Sequence, residues 1–307
     1  MANKVVIYLK LLKSAGSEFI DDDATKLSAS LAYYTIFSIA PLLLVLITLI
    51  SVFFKDISTQ FQDQIQTLIG RNGAEQLFAI LNNIRHQGHT KIVGIIGGIV
   101  LVFGATGVFT EIQSSINYIW SIRAKPKNSW VKYLTNRFLS FSLIIGMGFL
   151  LIVSLFINTL LDLMTGRLKH FFGDADVILV QIVSLTTLFV VITFLFAVIY
   201  KILPDARIHW RDALVGASFT GILFLIGKFL ISYYLAKSKL DSTYGAAASI
   251  IIILSWVYYS SLILYFGAEF TKVYALQVGK GISPYSTAVF IIKREAKELK
   301  NSSGPDL

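Results

Sequence analysis

Long uncharged runs separated by short charged connections organise this chain. The first, Leu31 to Phe54, extends 24 residues without a charge. Wound as a helix at 1.5 Å per residue it is about 36 Å long, enough to cross a hydrocarbon layer of about 30 Å. Water-soluble proteins rarely need such a segment. Five further runs follow at 92–109, 138–161, 177–200, 213–235 and 246–268, each at or close to spanning length. Lys91 and Glu111 border the second, Lys228 interrupts the fifth, and Glu269 closes the sixth. The pattern predicts an all-α, polytopic membrane protein of six transmembrane helices with amphipathic helices on its surfaces. A membrane domain is expected over 1–275 and a basic tail over 276–307.

The connections carry their own periodicity. Val5, Leu9 and Leu12, with Phe19 and Ile20 further on, suggest an amphipathic helix lying on the membrane surface. Lys10 interrupts this segment and no small-residue cleavage pattern follows, so it does not read as a cleavable signal. Asp21, Asp22 and Asp23 offer an N-cap and favourable charge to the helix entering the first span. Between 55 and 91, Phe61, Ile65 and Leu68 share one helical face and Leu77, Leu81 and Ile84 another. Two short amphipathic helices joined by a turn at Gly70–Gly73 fit this spacing. The tail from Gly281, with Lys293, Arg294, Lys297 and Lys300, is expected as a helix or a flexible basic segment near the lipid surface.

Composition agrees with the pattern: 55% of residues are hydrophobic, 15% are charged, and the mean hydropathy is +0.70. The formal charge of +9 raises the question of a nucleic-acid partner. Its distribution answers it. With the N-terminus inside, the segments 1–30, 110–137, 201–212 and 269–307 hold 18 of the 27 Lys and Arg, against 8 in the outward connections. That bias places both termini in the cytoplasm and directs the positive charge at anionic headgroups. RNA binding would need a clustered basic face with interleaved stacking aromatics, which no soluble segment is large enough to supply.

Candidate chemistry is sparse. Cysteine is absent, which removes disulfides, thiolate nucleophiles and Cys metal sites. No P-loop, G-x-S-x-G elbow or H-E-x-x-H motif occurs, and the carboxylates lie at helix ends and in loops. No enzyme activity, cofactor or metal is expected. His86 and His89 have a ligand-like spacing but no evident third ligand. Pro41 interrupts the first run and frees the carbonyl of Phe37, with Ser38 and Thr35 near enough to help satisfy it. Either a plain proline kink or a broken helix facing a cavity fits. Lys228 reads as a cavity-facing cation, a snorkelling one or half of a structural pair. Glu269 and Glu111 lie too far along the axis to pair with it easily, and are expected to meet Arg137, Arg123 or Arg211 instead. Asn117 adds a polar group at that level. Gly94, Gly98 and Ala105 mark one packing face in the second span and Gly97 and Gly104 a neighbouring one, and Gly216, Thr220 and Gly227 mark one in the fifth. Trp120, Trp130, Trp210 and Tyr200 are expected as interfacial anchors.

Several stretches together resemble the YihY/BrkB family of bacterial inner-membrane proteins, formerly labelled ribonuclease BN, over almost the whole chain. They are Leu31-Ala32-Tyr33-Tyr34 with Phe37-Ser38 and Pro41, Asn117-Tyr118-Ile119-Trp120, Trp130 with Arg137 and Ser140-Phe141, and Pro204 with Trp210 and Gly216-Ala217. Tyr244-Gly245, Trp256, Tyr258-Tyr259 and Phe266-Gly267-Ala268-Glu269 complete the set. The resemblance implies six spans with cytoplasmic termini in the bacterial inner membrane. A nuclease is not supported, since no carboxylate cluster is arranged for metal-assisted hydrolysis. The expected function is transport or translocation of an amphipathic, lipid-related or anionic solute, with a membrane scaffold in an envelope complex as the alternative. Tyr34, Ser38, Pro41, Lys228 and Glu269 are the candidate substrate-binding residues, with Pro41 exposing backbone and Lys228 attracting an anionic headgroup. Expected partners are membrane lipids and a small amphipathic substrate, with no nucleic acid and with a homo-oligomer left open. The two halves show no convincing inverted repeat.

Overall fold

The computed structural model describes residues 2–53, 107–125, 175–237 and 248–292. In chain order the helices are α1 (Ala2–Asp21), α2 (Ala24–Phe53), α3 (107–119), α4 (Ala175–Ile202), α5 (Trp210–Lys237) and α6 (Ala248–Gln277). Four short strands accompany them: β1 (Ile122–Ala124), β2 (Ala206–Arg207), β3 (Ser283–Pro284) and β4 (Ala288–Phe290). Several expectations lie outside the described residues: the spans at 138–161 and over most of 92–109, the connection 55–91 with His86 and His89, Trp130 and Arg137, and the tail beyond Ile292.

Local chemistry explains the ends of these helices. Asp23 adopts φ 52°, a left-handed conformation that aspartate tolerates, and turns α1 into α2. Its carbonyl accepts the N–H of Leu27, which makes it the N-cap of α2, as the acidic triplet predicts. Helix α4 stops at Ile202, two residues before Pro204. Asp212 lies in the first turn of α5, where a carboxylate complements the helix dipole. At the end of α6 the N–H groups of Val278 and Gly279 return to the carbonyl of Tyr274. Gly281, at φ 81°, follows with a bond to the carbonyl of Ala275.

Helix α6 is the hub. It packs against α1, α2 and α5, and α5 packs in turn on α4. Among the described residues three helical windows, Leu185–Ile202, Trp210–Ile231 and Ile251–Gln277, are long and apolar enough to cross a membrane. Only 22–33% of each is buried within the protein. Ile182, Val190, Ile222, Ile226, Phe229 and Leu230 all point outward. That distribution would be unfavourable in water and is natural in lipid, where apolar side chains need no cover. Hydroxyls follow the same logic: Thr35, Ser38, Thr186 and Ser261 each donate to the carbonyl four residues back, so none is left bare. Ser38 bonds Tyr34 and Thr35 bonds Leu31, so neither serves the Phe37 carbonyl. Helix α2 itself runs through Pro41 to Phe53, so no unwound segment lies at the proline.

Where helices touch, small residues bring their backbones together. Gly216, Thr220 and Gly227 of α5 face α6, and a β-carbon at Gly227 would sit 2.8 Å from Ile263 Cδ1. The Tyr200 hydroxyl donates to the Leu264 carbonyl at 2.8 Å and shares a bond with Thr220 at 3.1 Å, closing α4, α5 and α6 around one point. Trp120 donates its indole N–H to the Ala268 carbonyl at 3.1 Å. Tyr200 and Trp120 are therefore buried ties rather than interfacial anchors, because each has found a carbonyl partner inside the bundle. Trp210 does remain at the surface.

Two sequence expectations change at the ends of the chain. Helix α1 buries Leu11 and Ala15 against Phe270, Val273 and Tyr274 of α6, while Leu9 and Ile20 face outward. Leu12 and Phe19 of the expected apolar face also pack inward, so the helix lies against the fold and only part of that face looks outward. The segment after α6 is neither a helix nor a free tail as far as Ile292. β4 pairs antiparallel with β1, matching Arg123 with Val289, and β3 pairs with β2, matching Ala206 with Pro284. Backbone bonds Lys125 N to Thr287 O and Ile291 N to Ser121 O extend the first pairing. These strands join the connections around 122, 206 and 288 at one end of the helices.

Candidate functional site

On α6, Tyr265, Glu269 and Lys272 follow at i, i+4 and i+7 and so share one face. Glu269 is 0% exposed, and only its Oε2 has a donor, Lys272 Nζ at 3.3 Å. Lys272, its side chain 11% exposed, is the common partner of three carboxylates. Besides Glu269 it pairs with Glu18 from the last turn of α1 and, at 3.8 Å, with Asp22 from the turn between α1 and α2. Asp22 also lies against Glu269. The left-handed turn at Asp23 leaves Asp22 buried, whereas Asp23 itself pairs with Lys26 at the surface.

Three carboxylates therefore converge on one ammonium. With all four ionised the cluster would carry two excess negative charges, next to a helix otherwise apolar enough to span a membrane. Burying charge in that way costs several kcal/mol per ion unless it is paired. The members differ in access: the Glu18 side chain is 39% exposed, while Glu269 is sealed. One turn earlier on α6, the Tyr265 hydroxyl faces Ser115 of α3, and both oxygens are buried without a well-formed hydrogen bond. A polar track thus enters the bundle from its end.

A second network holds the track in place. Asn117 of α3 donates to Asp205 Oδ2 at 2.9 Å and accepts the Asp205 N–H at 2.8 Å, and Gln113 adds a longer bond of 3.4 Å. Asn117, rather than lining an open pocket, locks α3 to the connection between α4 and α5. Asp212 accepts the Lys280 N–H at 3.0 Å and so ties the start of α5 to the chain leaving α6.

A wide groove opens elsewhere on α6. It has a volume of about 510 Å³ and is lined by Tyr33, Ile36 and Phe37 of α2 and by Leu254, Ser255 and Tyr258 of α6, with Ala29 and Ala32 at its floor. Tyr258 precedes Glu269 by eleven residues, so the groove and the cluster lie about 16 Å apart along the helix.

Of the five residues expected to bind substrate, Glu269 alone sits in the buried cluster. Among the described residues its cation is Lys272, not Arg123 or Arg211. Lys228 is exposed on the outer side of α5, beside the exposed Phe229 and Leu230. Tyr34 meets Tyr33 edge-on and lies 3.5 Å from where a β-carbon at Gly107 would be, so it points toward α3 while Tyr33 faces the groove. Ser38 is bonded within α2, and Pro41 lies inside the unbroken helix. Glu18, Asp22, Tyr265 and Lys272 belong to no catalytic or binding motif. Two signals were nonetheless present: Glu18 and Asp22 are spaced i, i+4, and Glu269 and Lys272 are spaced i, i+3 at the end of an apolar run.

Sequence comparison matches residues 15–288 to the family described as virulence factor BrkB. A UPF0761 membrane protein of Pseudoalteromonas atlantica is 28% identical over 258 residues, covering 82% of this chain and 81% of its own. Another, from Psychromonas ingrahamii, is 30% identical over 262 residues, covering 82% of this chain and 83% of its own. A longer relative from Pseudomonas aeruginosa is 30% identical over 263 residues, 81% of this chain and 59% of its own. No solved structure matches. The family match runs from the last turns of α1 to the first residue of β4, and the relatives are named as membrane proteins: the chain belongs to the BrkB family.

Proposed function

We propose that this protein spans the bacterial inner membrane six times with both termini in the cytoplasm, and translocates an amphipathic, lipid-related or anionic solute. The observation that carries this reading is the sealed Glu269, bound through Lys272 to the partly exposed Glu18. An ionisable group inside an apolar helix marks a functional site by default, because a purely structural role is met more cheaply by apolar packing. Lys272 can shift its bonds between a carboxylate facing the end of the bundle and one facing its interior, which couples access to the helix contacts. The apolar groove between α2 and α6 offers acyl chains or another apolar moiety a surface on the same helix. The proposed role involves no bond cleavage and no cofactor.

The test uses purified protein in liposomes and a fluorescent anionic amphiphile whose transfer between leaflets is read by quenching. Transfer above protein-free vesicles, reduced at least about tenfold by Glu269→Gln with the fold retained, is the expected result. Absence of transfer for every amphiphile tried counts against the reading.

A scaffold in an envelope complex is the second reading, favoured by one observation. Lys228, expected to draw an anionic headgroup into a cavity, lies on the outer surface of α5. If the protein is a scaffold, Glu269→Gln leaves partner capture intact and no transfer is seen for any variant.

A further inference from the structure

A second polar concavity, of about 400 Å³, lies apart from the carboxylate cluster at the strand-paired end of the helices. Lys201 comes to it from the end of α4, Arg207 from β2, His209 and Trp210 from the start of α5, and Lys280 from the chain leaving α6. The spanning windows of α4, α5 and α6 end at Ile202, Trp210 and Gln277, so this concavity sits at headgroup level. Trp210 is 47% exposed, as suits that layer.

Three full positive charges meet here, and among the described residues none of Lys201, Arg207 and Lys280 is ion-paired. Arg207 instead lies 5.7 Å from the centre of the Tyr285 ring, and Lys201 lies 5.9 Å from that of Trp210 while donating to the Ile208 carbonyl. Each contact positions a cation while leaving N–H donors for a further acceptor. The nearby carboxylate of Asp212 is buried and already accepts the Lys280 backbone N–H. The β2–β3 pairing holds Arg207 opposite Ser283, which fixes the rim against α4 and α5. A cationic cup without an ion pair among the described residues, with an aromatic wall at membrane depth, matches a phosphate-bearing group.

We infer that this concavity binds phosphate, in the first instance the phosphodiester of an anionic lipid, through Arg207, Lys201 and Lys280. The inference is independent of whether anything is translocated.

The experiment takes the full chain in nanodiscs of phosphatidylcholine with a minor fraction of phosphatidylglycerol, and reads retained phosphatidylglycerol by native mass spectrometry. The double variant Arg207→Gln/Lys280→Gln is compared with Lys10→Gln/Lys13→Gln, which removes the same charge from exposed positions on α1. Retention is expected to fall about tenfold in the first and to stay within about twofold of the parent in the second. The single variant Lys280→Gln, at an exposed position, serves if the double variant does not fold. A parallel arm titrates inorganic phosphate into pure phosphatidylcholine nanodiscs and follows tryptophan fluorescence. A phosphate response lost in Arg207→Gln/Lys280→Gln, with no lipid retained, assigns the site to the free ion. Equal loss of lipid in both doubles, or no effect of the first double in either arm, overturns the inference.

Discussion

Gly216 of α5 lies so close to Thr271 of α6 that a β-carbon on residue 216 would sit 2.7 Å from the Thr271 β-carbon. The contact is backbone to side chain across two packed helices, and Thr271 is fixed by its own bond to the Gly267 carbonyl at 2.6 Å. Gly216→Ala therefore forces the helices apart. It is expected to cost about 1–3 kcal/mol, seen as a lower melting temperature in detergent. An unchanged melting temperature would show that α5 and α6 do not approach as described.

Lys272 compensates three carboxylates, so its removal is expected to be the most damaging single change in the cluster. Lys272→Met should destabilise the fold by about 3–5 kcal/mol, because it leaves buried carboxyl groups without a cation. Adding Glu269→Gln to Lys272→Met should recover part of that loss. Strict additivity of the two changes in a double-mutant cycle would show that they are not coupled.

The Asn117 carboxamide and the Asp205 backbone and side chain form a two-point clasp. Asn117→Leu deletes both of these buried bonds, so a loss of about 2–3 kcal/mol is expected. Hydrogen exchange should rise at 203–206, where the clasp holds the connection between α4 and α5. Exchange that rises evenly along the chain would instead indicate a general loosening.

Arg123 and Val289 are direct antiparallel partners, so their β-carbons point to the same side of the ribbon. The chain has no native cysteine. Arg123→Cys combined with Val289→Cys should oxidise to a disulfide in membranes, shown by a mobility shift that reductant reverses. Arg123→Cys with Ala288→Cys, which face opposite sides, should cross-link far less. Equal yields from both pairs would contradict the register.

Several features of this site lay within reach of the sequence, and others did not. Glu269 was legible as a carboxylate closing an apolar run, and Asp23 as part of a cap. Lys272 lies beyond Glu269, the charge that closes the apolar run, whereas α6 continues to Gln277. Glu18 belongs to, and Asp22 directly follows, a helix whose larger apolar residues suggest a surface role. Only the contact of Leu11 and Ala15 with Phe270 and Val273 shows which side faces inward. Tyr200 and Trp120 illustrate the same difficulty, since an aromatic residue near the end of a span can anchor at the interface or bond a carbonyl inside.

Hydrophobic periodicity and the basic connections were enough to establish helices suited to a membrane, because the cost of apolar surface in water and of bare backbone in lipid acts on each segment separately. The pairing of Lys272 with Glu18, Asp22 and Glu269, the return of β4 to β1, and the exposure of Lys228 were decided by tertiary structure alone. Each depends on the rotation of one helix about its axis relative to another. In lipid that rotation is selected by close packing and a few polar contacts between elements distant in the chain, which a single segment's pattern does not record.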